Sequence, residues 1–354
     1  MTILRIFGKR LIQHRSLPLT LVALFAVLVL AHGSAVAETN KVGTSAAAFL
    51  RIPAGAHGSS VGSAYTCQTN DATSLFWNPG AAARLEGTNL SFDYSDWLPG
   101  LDYGFIGATM PIRPDLILGV SAVYLQTEEM DVTTPDFPMG TGETFNAAST
   151  AVGASISSRL TDRFSIGGTI KIIQERIYNS TATGVAFDAG TLFDTPFNNI
   201  RFGVAITNVG TKLRMTGEDL NVRIDVAPEQ EGNNESTVGE VKTDRFDPPL
   251  LLRLGLTGEA FNTDQYRLTW MVDGVNPNDN APSLNLGLEL GLMHDVLNLR
   301  TGYNDLFLED GIRGLTFGVG IRALTRPSLV YFDYGFQSFE YLGAVNRFTL
   351  SIVL

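Results

Sequence analysis

The stretch "LNLGLELGL", Leu284 to Leu292, decides the fold class. Leucine occupies every second position, and asparagine, glycine and glutamate stand between the leucines. Successive side chains of a β-strand point to opposite faces, so one face of this segment is purely apolar and the other is polar or small. The stretch therefore predicts a strand with an apolar environment on one side and a polar one on the other.

The same alternation recurs through the chain. It predicts fourteen strands, near residues 88–94, 103–110, 116–126, 144–158, 164–178, 183–193, 200–208, 249–258, 265–273, 284–292, 297–303, 313–323, 328–337 and 346–354. An even number of strands is typical of single-chain outer-membrane barrels. A soluble all-β domain is the alternative that periodicity leaves open.

The lengths of the connections favour the barrel, because such barrels alternate short periplasmic turns with longer outer loops. Short turns are predicted at 111–115, 159–162, 194–199, 259–264, 293–296 and 324–327. Longer connections are predicted at 95–102, 127–143, 209–248, 274–282, 304–311 and 338–345, with 179–182 as the brief exception. We therefore predict an all-β, transmembrane antiparallel barrel over residues 88–354, with both termini periplasmic.

The amino terminus resembles a secretory signal. Arg5, Lys9, Arg10 and Arg15 precede an apolar run, and Ala35-Val36-Ala37 follows it, which predicts cleavage after residue 37. Removing these four basic residues takes the net charge from −11 to −15, since residues 1–37 hold no acidic residue. An acidic exported chain is a poor partner for nucleic acid, which requires a basic surface. We predict the outer membrane of a Gram-negative-type bacterium, with its lipid as a partner.

The stretch "NDATSLFWNPGAAARL", Asn70 to Leu85, breaks the alternation just before the first strand. Local propensity predicts two short helices, the first capped by Asp71 and the second by Asn78 with Pro79 at its first position. A barrel of this size has a wide lumen, so residues 38–87 are predicted to plug it. The predicted plug motif is Asp71, Phe76, Trp77, Asn78, Pro79 and Gly80, with Phe76 and Trp77 wedged against the inner wall.

Charged side chains in the predicted strands should face the lumen, since Arg or Lys on the lipid face at mid-depth costs about 2–4 kcal/mol. These residues are Lys171, Asp188, Arg201, Arg253, Glu289, Arg300, Arg322, Asp333 and Arg347. A ladder of salt bridges is one interpretation, and a path for anions is the other.

A zinc site or a histidine-based catalytic triad lacks the necessary residues, whereas the abundant carboxylates leave a paired Asp/Glu hydrolase open by count. The predicted mature chain keeps only His57 and His294, which we expect at the surface or in turns, and a single cysteine, Cys67, expected to be a buried thiol. We therefore predict no enzyme, no cofactor and no metal.

The oxygen-rich stretch Asp273–Pro282 is interpreted as a turn, with calcium as the alternative. The acidic stretch Met215–Pro249 is either a solvated loop or a docking loop for a protein.

Several segments together resemble the PorV/PorQ family of outer-membrane proteins, which share the fourteen-stranded barrel of FadL-type transporters. Among them are "GTSAAAFLRIPAGAHG" (43–58), "DATSLFWNPG" (71–80), "GTGETFNAA" (140–148) and "NPNDNAPSLNLGLELG" (276–291). The resemblance implies a role in type IX secretion, in which the barrel binds exported protein domains and components of the secretion system. A FadL-like channel for hydrophobic small molecules is the second hypothesis, and a structural porin the third.

Overall fold

The structure is a computed structural model that describes residues 42–197, 199–224, 237–309, 311–325 and 328–354. The predicted signal sequence, residues 1–37, and residues 38–41 of the predicted plug lie outside these ranges. Fourteen antiparallel strands form the barrel: β1 Asn89–Leu98, β2 Leu101–Arg113, β3 Leu116–Thr127, β4 Ala147–Arg159, β5 Phe164–Ile177, β6 Ser180–Asp194, β7 Arg201–Gly210, β8 Leu251–Asn262, β9 Tyr266–Pro277, β10 Ser283–Leu292, β11 Leu297–Leu306, β12 Arg313–Thr325, β13 Ser328–Phe339 and β14 Gly343–Val353.

The barrel closes because the first and last strands pair with each other. Asn89 of β1 lies opposite Val353 of β14, and the pairing continues to Asp96 and Asn346. Every other barrel strand pairs with its neighbours in the chain, including β7, which joins β6 to β8 across the longest connection. The predicted fold class is thereby confirmed. Among the residues that the structure describes, no helix is long and apolar enough to cross a membrane.

The two faces of each strand follow the predicted alternation. In β10 the side chain of Leu288 is 46% exposed on the outer face, whereas the next residue, Glu289, is 3% exposed on the inner face. The outer face of the barrel therefore carries the apolar side chains, and the polar residues of the strands turn inward, where a lipid environment does not penalise them.

The connections at one end are shorter than predicted. Strands β1 and β2 continue to residues 98 and 101, so the predicted connection 95–102 shrinks to 99–100, and 338–345 shrinks to 340–342. The polar ends of these strands keep their backbone hydrogen bonds to the neighbouring strand, which side-chain periodicity does not reveal. Two long connections, 128–146 and 211–250, stand at this end, which we call the loop end; the opposite end is the turn end.

Small elements complete the described chain. Residues 144–145 pair with 130–131 in a separate hairpin, so the predicted strand 144–158 begins only at Ala147. In the acidic connection, Asn221–Ile224 pairs with Thr237–Glu240, while 225–236 lie outside the described residues. The amino-terminal segment holds a 3-10 helix, Ala48–Arg51, and three short α-helices, α1 Ala56–Ser60, α2 Ser74–Trp77 and α3 Pro79–Ala82.

Candidate functional site

The amino-terminal segment, residues 45–87, lies against the inner wall of the barrel. Its backbone is held by side chains of strands far apart in the sheet. The amide of Ala56 donates to Thr349 on β14 over 2.7 Å, and Ser157 on β4 donates to the carbonyl of Pro79 over 2.7 Å. The segment therefore follows the circumference of the wall, and most of its side chains are buried between the strands.

Glycines in the wall make room for this backbone. A β-carbon at Gly287 would lie 2.5 Å from the carbonyl oxygen of Val61, and one at Gly335 would lie 2.9 Å from that of Ala56. Ten strands carry such a glycine facing the segment: Gly107, Gly119, Gly167, Gly190, Gly203, Gly255, Gly287, Gly302, Gly318 and Gly335. At six of them the near atoms include backbone of the segment, and at Gly119, Gly190, Gly255 and Gly318 they are its side chains. Because a larger residue would collide at each place, the segment is fitted to the wall and not merely placed in the lumen.

The predicted plug motif lies within this segment. Asp71 accepts the backbone amide of Thr73 over 2.9 Å, and Asn78 caps α3 by accepting the amide of Gly80 over 2.9 Å, with Pro79 at the first helical position. The Asn78 side chain also donates to the carbonyl of Thr191 on β6 over 3.0 Å. One motif residue thus caps a helix and ties it to the wall.

The two aromatic residues of the motif occupy different positions. Phe76 meets the wall at Phe105 of β2, with ring centroids 6.4 Å apart. The Trp77 indole donates to the carbonyl of Ala54 over 2.9 Å, and its ring lies 5.7 Å from that of Tyr65. It also contacts the wall, at Met271 of β9 and beneath Arg253 of β8. Both rings therefore touch the wall, Phe76 at β2 and Trp77 at β8 and β9.

All nine predicted lumen charges lie on inner strand faces, and most are paired. Lys171 pairs with Asp188, Arg201 with Asp194, Arg347 with Asp93, and Arg300 with Glu289 and Asp333. Within the described part of the chain, the other two, Arg253 and Arg322, have no carboxylate within ion-pair distance; Arg322 stacks over Tyr331 at 5.8 Å. The arrangement favours the salt-bridge interpretation for seven of the nine residues.

Glu289 is the centre of the largest charged group, at the turn end. It contacts Arg300 at 2.7 Å, Arg267 at 2.8 Å and the Nε2 atom of His57 at 2.7 Å.

His57, which we expected at the surface or in a turn, is 4% exposed and lies in α1, so that prediction is wrong. Its burial arises from the packing of α1 against β13 and β12, from which the imidazole reaches Glu289 on β10. Nothing in the local sequence around His57 indicates this packing. His294 is exposed in a turn, as predicted.

Both carboxylates of the oxygen-rich stretch Asp273–Pro282 have protein partners. Asp279 accepts from Arg51 at 3.0 Å and from Ser45, which attaches this loop to the amino-terminal segment. Asp273 lies in β9 and accepts the amide of Thr66 over 2.9 Å. No group of three or more potential metal-binding side chains occurs within the described ranges.

Two cavities flank the segment. At the loop end a cavity of about 290 Å³ is lined by Ile52, Trp97, Ile312, Phe339 and neighbouring polar residues, and a chamber of about 40 Å³ adjoins it. At the turn end a polar cavity of about 470 Å³ is lined by His57, the Glu289 group and Arg322. The segment separates these two spaces.

A line of aromatic rings connects the two cavities. It starts with Phe339 and Trp97, whose centroids are 5.3 Å apart, and continues to Tyr103 at 6.3 Å. Two residues further along β2, Phe105 meets Phe76, which leads through Trp77 and Tyr65 to His57. We call this set the aromatic line. Buried aliphatic residues, among them Leu50, Ile52, Val123 and Ile173, pack along its first half.

Cys67 packs at the contact between the segment and the wall. It is 2% exposed, touches Ala81 and Leu192, and faces Gly203 and Gly255. Burial raises the pKa of this thiol well above its usual value. The thiolate is the form that reacts with labelling reagents. Since Cys67 is the only cysteine of the chain, its rate of labelling reports whether the segment stays in place.

No family model matches the sequence, and no curated protein matches it. Solved structures do. The CymD monoaromatic hydrocarbon channel has a TM-score of 0.54 at 12% identity, covering 85% of this chain and 96% of that chain. The toluene transporter TbuX of Ralstonia pickettii has 0.52 at 12% over 85% and 97%. A FadL homologue of Pseudomonas aeruginosa has 0.50 at 15% over 84% and 97%. At such identities the likeness shows the fold alone.

Proposed function

We propose that this protein is an outer-membrane channel for hydrophobic small molecules, and that residues 45–87 are its plug. The aromatic line carries the proposal, because it provides an apolar route along a lumen whose opposite wall is polar. The solved structures of similar fold include proteins named as hydrocarbon channels and toluene transporters, which supports the same substrate class. A hydrophobic compound would enter the loop-end cavity at Trp97 and Phe339 and follow the seam between plug and wall.

The plug must rearrange for passage, since the aromatic line is packed. The glycine contacts around the wall oppose its departure as a whole. We infer that movement is confined to the central side chains, chiefly Phe76 and Trp77, which are held by few hydrogen bonds to the wall. The polar cavity at the turn end then receives the compound, and its charged lining favours release, because an apolar molecule gains nothing from that surface.

The role in type IX secretion stays a prediction from the resemblance to PorV/PorQ proteins. No observation in the described residues favours exported protein domains as partners. The acidic connection, part of which lies outside the described residues, is the segment on which a docking role would depend. We therefore place transport of hydrophobic compounds first and exclude catalysis from the proposal.

Tryptophan fluorescence tests the entry site. The chain has three tryptophans, Trp77, Trp97 and Trp270, and the third lies on the outer face, so the test uses a Trp270→Phe background. Bromobenzene, a heavy-atom quencher, should quench this protein saturably in micelles, and Trp97→Phe should remove most of the saturable part. Phe339→Ala should weaken binding by roughly 5–30-fold, the effect of losing an aromatic contact of about 1–2 kcal/mol. Quenching that never saturates would contradict an entry site.

The orientation is tested with trypsin added to intact cells. If the loop end faces outward, as the longer connections of such barrels do, the exposed Lys242 in the acidic connection is cut. Arg163, exposed in the turn 160–163, serves as the matched site at the other end and should be cut only after lysis. Cleavage at Arg163 in intact cells with protection at Lys242 would reverse the proposed topology.

A further inference from the structure

Arg253 is a buried cation that no carboxylate of the described residues pairs with. It lies on the inner face of β8 and is 5% exposed. Its guanidinium lies over the rings of Trp77 at 5.3 Å and Phe76 at 5.9 Å, and its one hydrogen bond, to the hydroxyl of Thr207, is long at 3.4 Å. In the ranges described, no carboxylate comes within 4.0 Å of it.

The carboxylates of the neighbouring strands are already engaged. Asp188 pairs with Lys171 at 2.9 Å, and Asp273 accepts both the amide and the hydroxyl of Thr66, at 2.9 and 2.6 Å. Arg253 therefore presents five donors with one long hydrogen bond among the described residues, at the edge of a small cavity. Stacking on two aromatic rings offsets only part of the desolvation of a guanidinium, so its remaining donors can serve a further acceptor.

A further acceptor for the Arg253 guanidinium would lie in the small chamber at the loop end. Arg253 lines this chamber of about 40 Å³ together with Ser63, whose buried hydroxyl also has no partner in the described structure. A water molecule needs roughly 10–15 Å³ by this measure, so the chamber holds about three water-sized atoms. A carboxylate, with one carbon and two oxygens, matches that size.

The chamber continues into the larger loop-end cavity. Both spaces are lined by Arg51, Asn280, Asp305, Leu308 and Arg313. The two arginines among these five are paired, Arg51 with Asp279 and Arg313 with Asp305, which leaves Arg253 as the available cation. The larger space measures about 290 Å³, and since an apolar cavity of about 150 Å³ holds a benzene ring, it has room for one substituted ring.

We propose that the preferred ligand is an aromatic acid with a single ring, whose ring lies in the loop-end cavity against Trp97 and Phe339 and whose carboxylate reaches Arg253 through the chamber. This inference rests on the proposed function and narrows its substrate class. A neutral hydrocarbon adds no acceptor for Arg253, whereas a charge-assisted, bidentate contact to a carboxylate supplies two. Arg51 and Arg313, each paired with a carboxylate, line the entrance to the chamber. They make this entrance polar, so an organic anion can pass it.

The test compares 3-phenylpropanoate with its neutral counterpart propylbenzene, by tryptophan fluorescence of the full-length protein in micelles. The wild type should bind the acid at least tenfold more tightly, and Arg253→Gln should weaken acid binding roughly 10–100-fold, the range for a lost charge-assisted contact, without weakening propylbenzene. Arg253→Lys, which keeps the charge, should restore part of the affinity. Arg322→Gln, which alters the other unpaired lumen arginine, at the turn end, should leave acid binding unchanged.

The outcomes separate the two proposals. If propylbenzene binds as well as the acid, or if Arg322→Gln weakens acid binding as much as Arg253→Gln does, the acid site is wrong and the hydrophobic channel still stands. If neither compound binds saturably, the proposed function fails together with the inference. Protection of Cys67 from a maleimide in each variant shows that the plug is still in place, so a loss of binding is not mistaken for a loss of fold.

Discussion

Replacing Gly167 by valine is expected to push the plug off the wall. A β-carbon at this position in β5 would overlap the carbonyl group of Pro79 and come within 2.8 Å of the amide nitrogen of Gly80, and the strand cannot retreat without breaking its ladder. Overpacking of this kind costs about 1–3 kcal/mol or more. Because α3 covers Cys67 through Ala81, its displacement should expose the thiol.

The measurements are the rate of maleimide labelling at Cys67 and the single-channel conductance in planar bilayers. Both should rise strongly in Gly167→Val, whereas the wild type should label slowly and conduct little. The adjacent Gly168, which faces away from the plug and has only the carbonyl oxygen of Asp188 nearby, at 3.5 Å, provides the matched control. Equal effects of Gly168→Val and Gly167→Val would mean that strand stability, and not the plug contact, had been disturbed.

Replacing Glu289 by alanine is expected to be the most destabilising single change at the turn end. Three side chains converge on this carboxylate, and Arg300, one of them, is itself 6% exposed. Removing one member of a buried ion pair costs about 3–5 kcal/mol when the remaining charge loses its compensation. Because Arg300 keeps Asp333 and Arg267 keeps Asp295, we expect the lower end of this range. The His57 contact, which joins α1 of the plug to β10, is lost at the same time.

Urea unfolding from lipid vesicles, followed by tryptophan fluorescence, measures this loss. Asp115→Ala is the control, because it removes an exposed pair with Arg113 at 3.5 Å whose side chains are 53% and 63% exposed. Such a pair contributes at most about 1 kcal/mol. If Glu289→Ala changed the free energy of unfolding by no more than Asp115→Ala, the Glu289 group would not stabilise the closed barrel.

Much of the barrel could be predicted because its signals are local. Alternation along "LNLGLELGL" and its counterparts places side chains on two faces whatever the strand pairs with, and the cost of charge in lipid sets which face turns inward. Helix caps are equally local: an asparagine followed by a proline marks the start of α3 at Asn78 and Pro79 without any information from the rest of the chain. The connection lengths were less accurate, since a strand continues for as long as its neighbour supplies hydrogen bonds.

The partners inside the lumen could not be predicted. His57 and Glu289 are far apart in the chain and meet only because the plug follows the wall past β10. In the sequence, the wall glycines are only small residues on the polar face of each strand. Their fit to the plug becomes evident only when the wall and the plug are seen together. The same holds for Asp93 with Arg347 and for Asp305 with Arg313, neither of which sequence patterns bring together.

The sequence by itself therefore determined the strands, their facing and the presence of a capped segment before them, because these depend on the backbone period and on the solvent that each face meets. Only the tertiary structure decided which charges neutralise each other, where the cavities lie and that Arg253 pairs with no carboxylate of the described residues, because those depend on distances between segments remote in the chain. A pair of charges and an unpaired one look alike in a sequence. Their difference arises when the barrel closes around the plug.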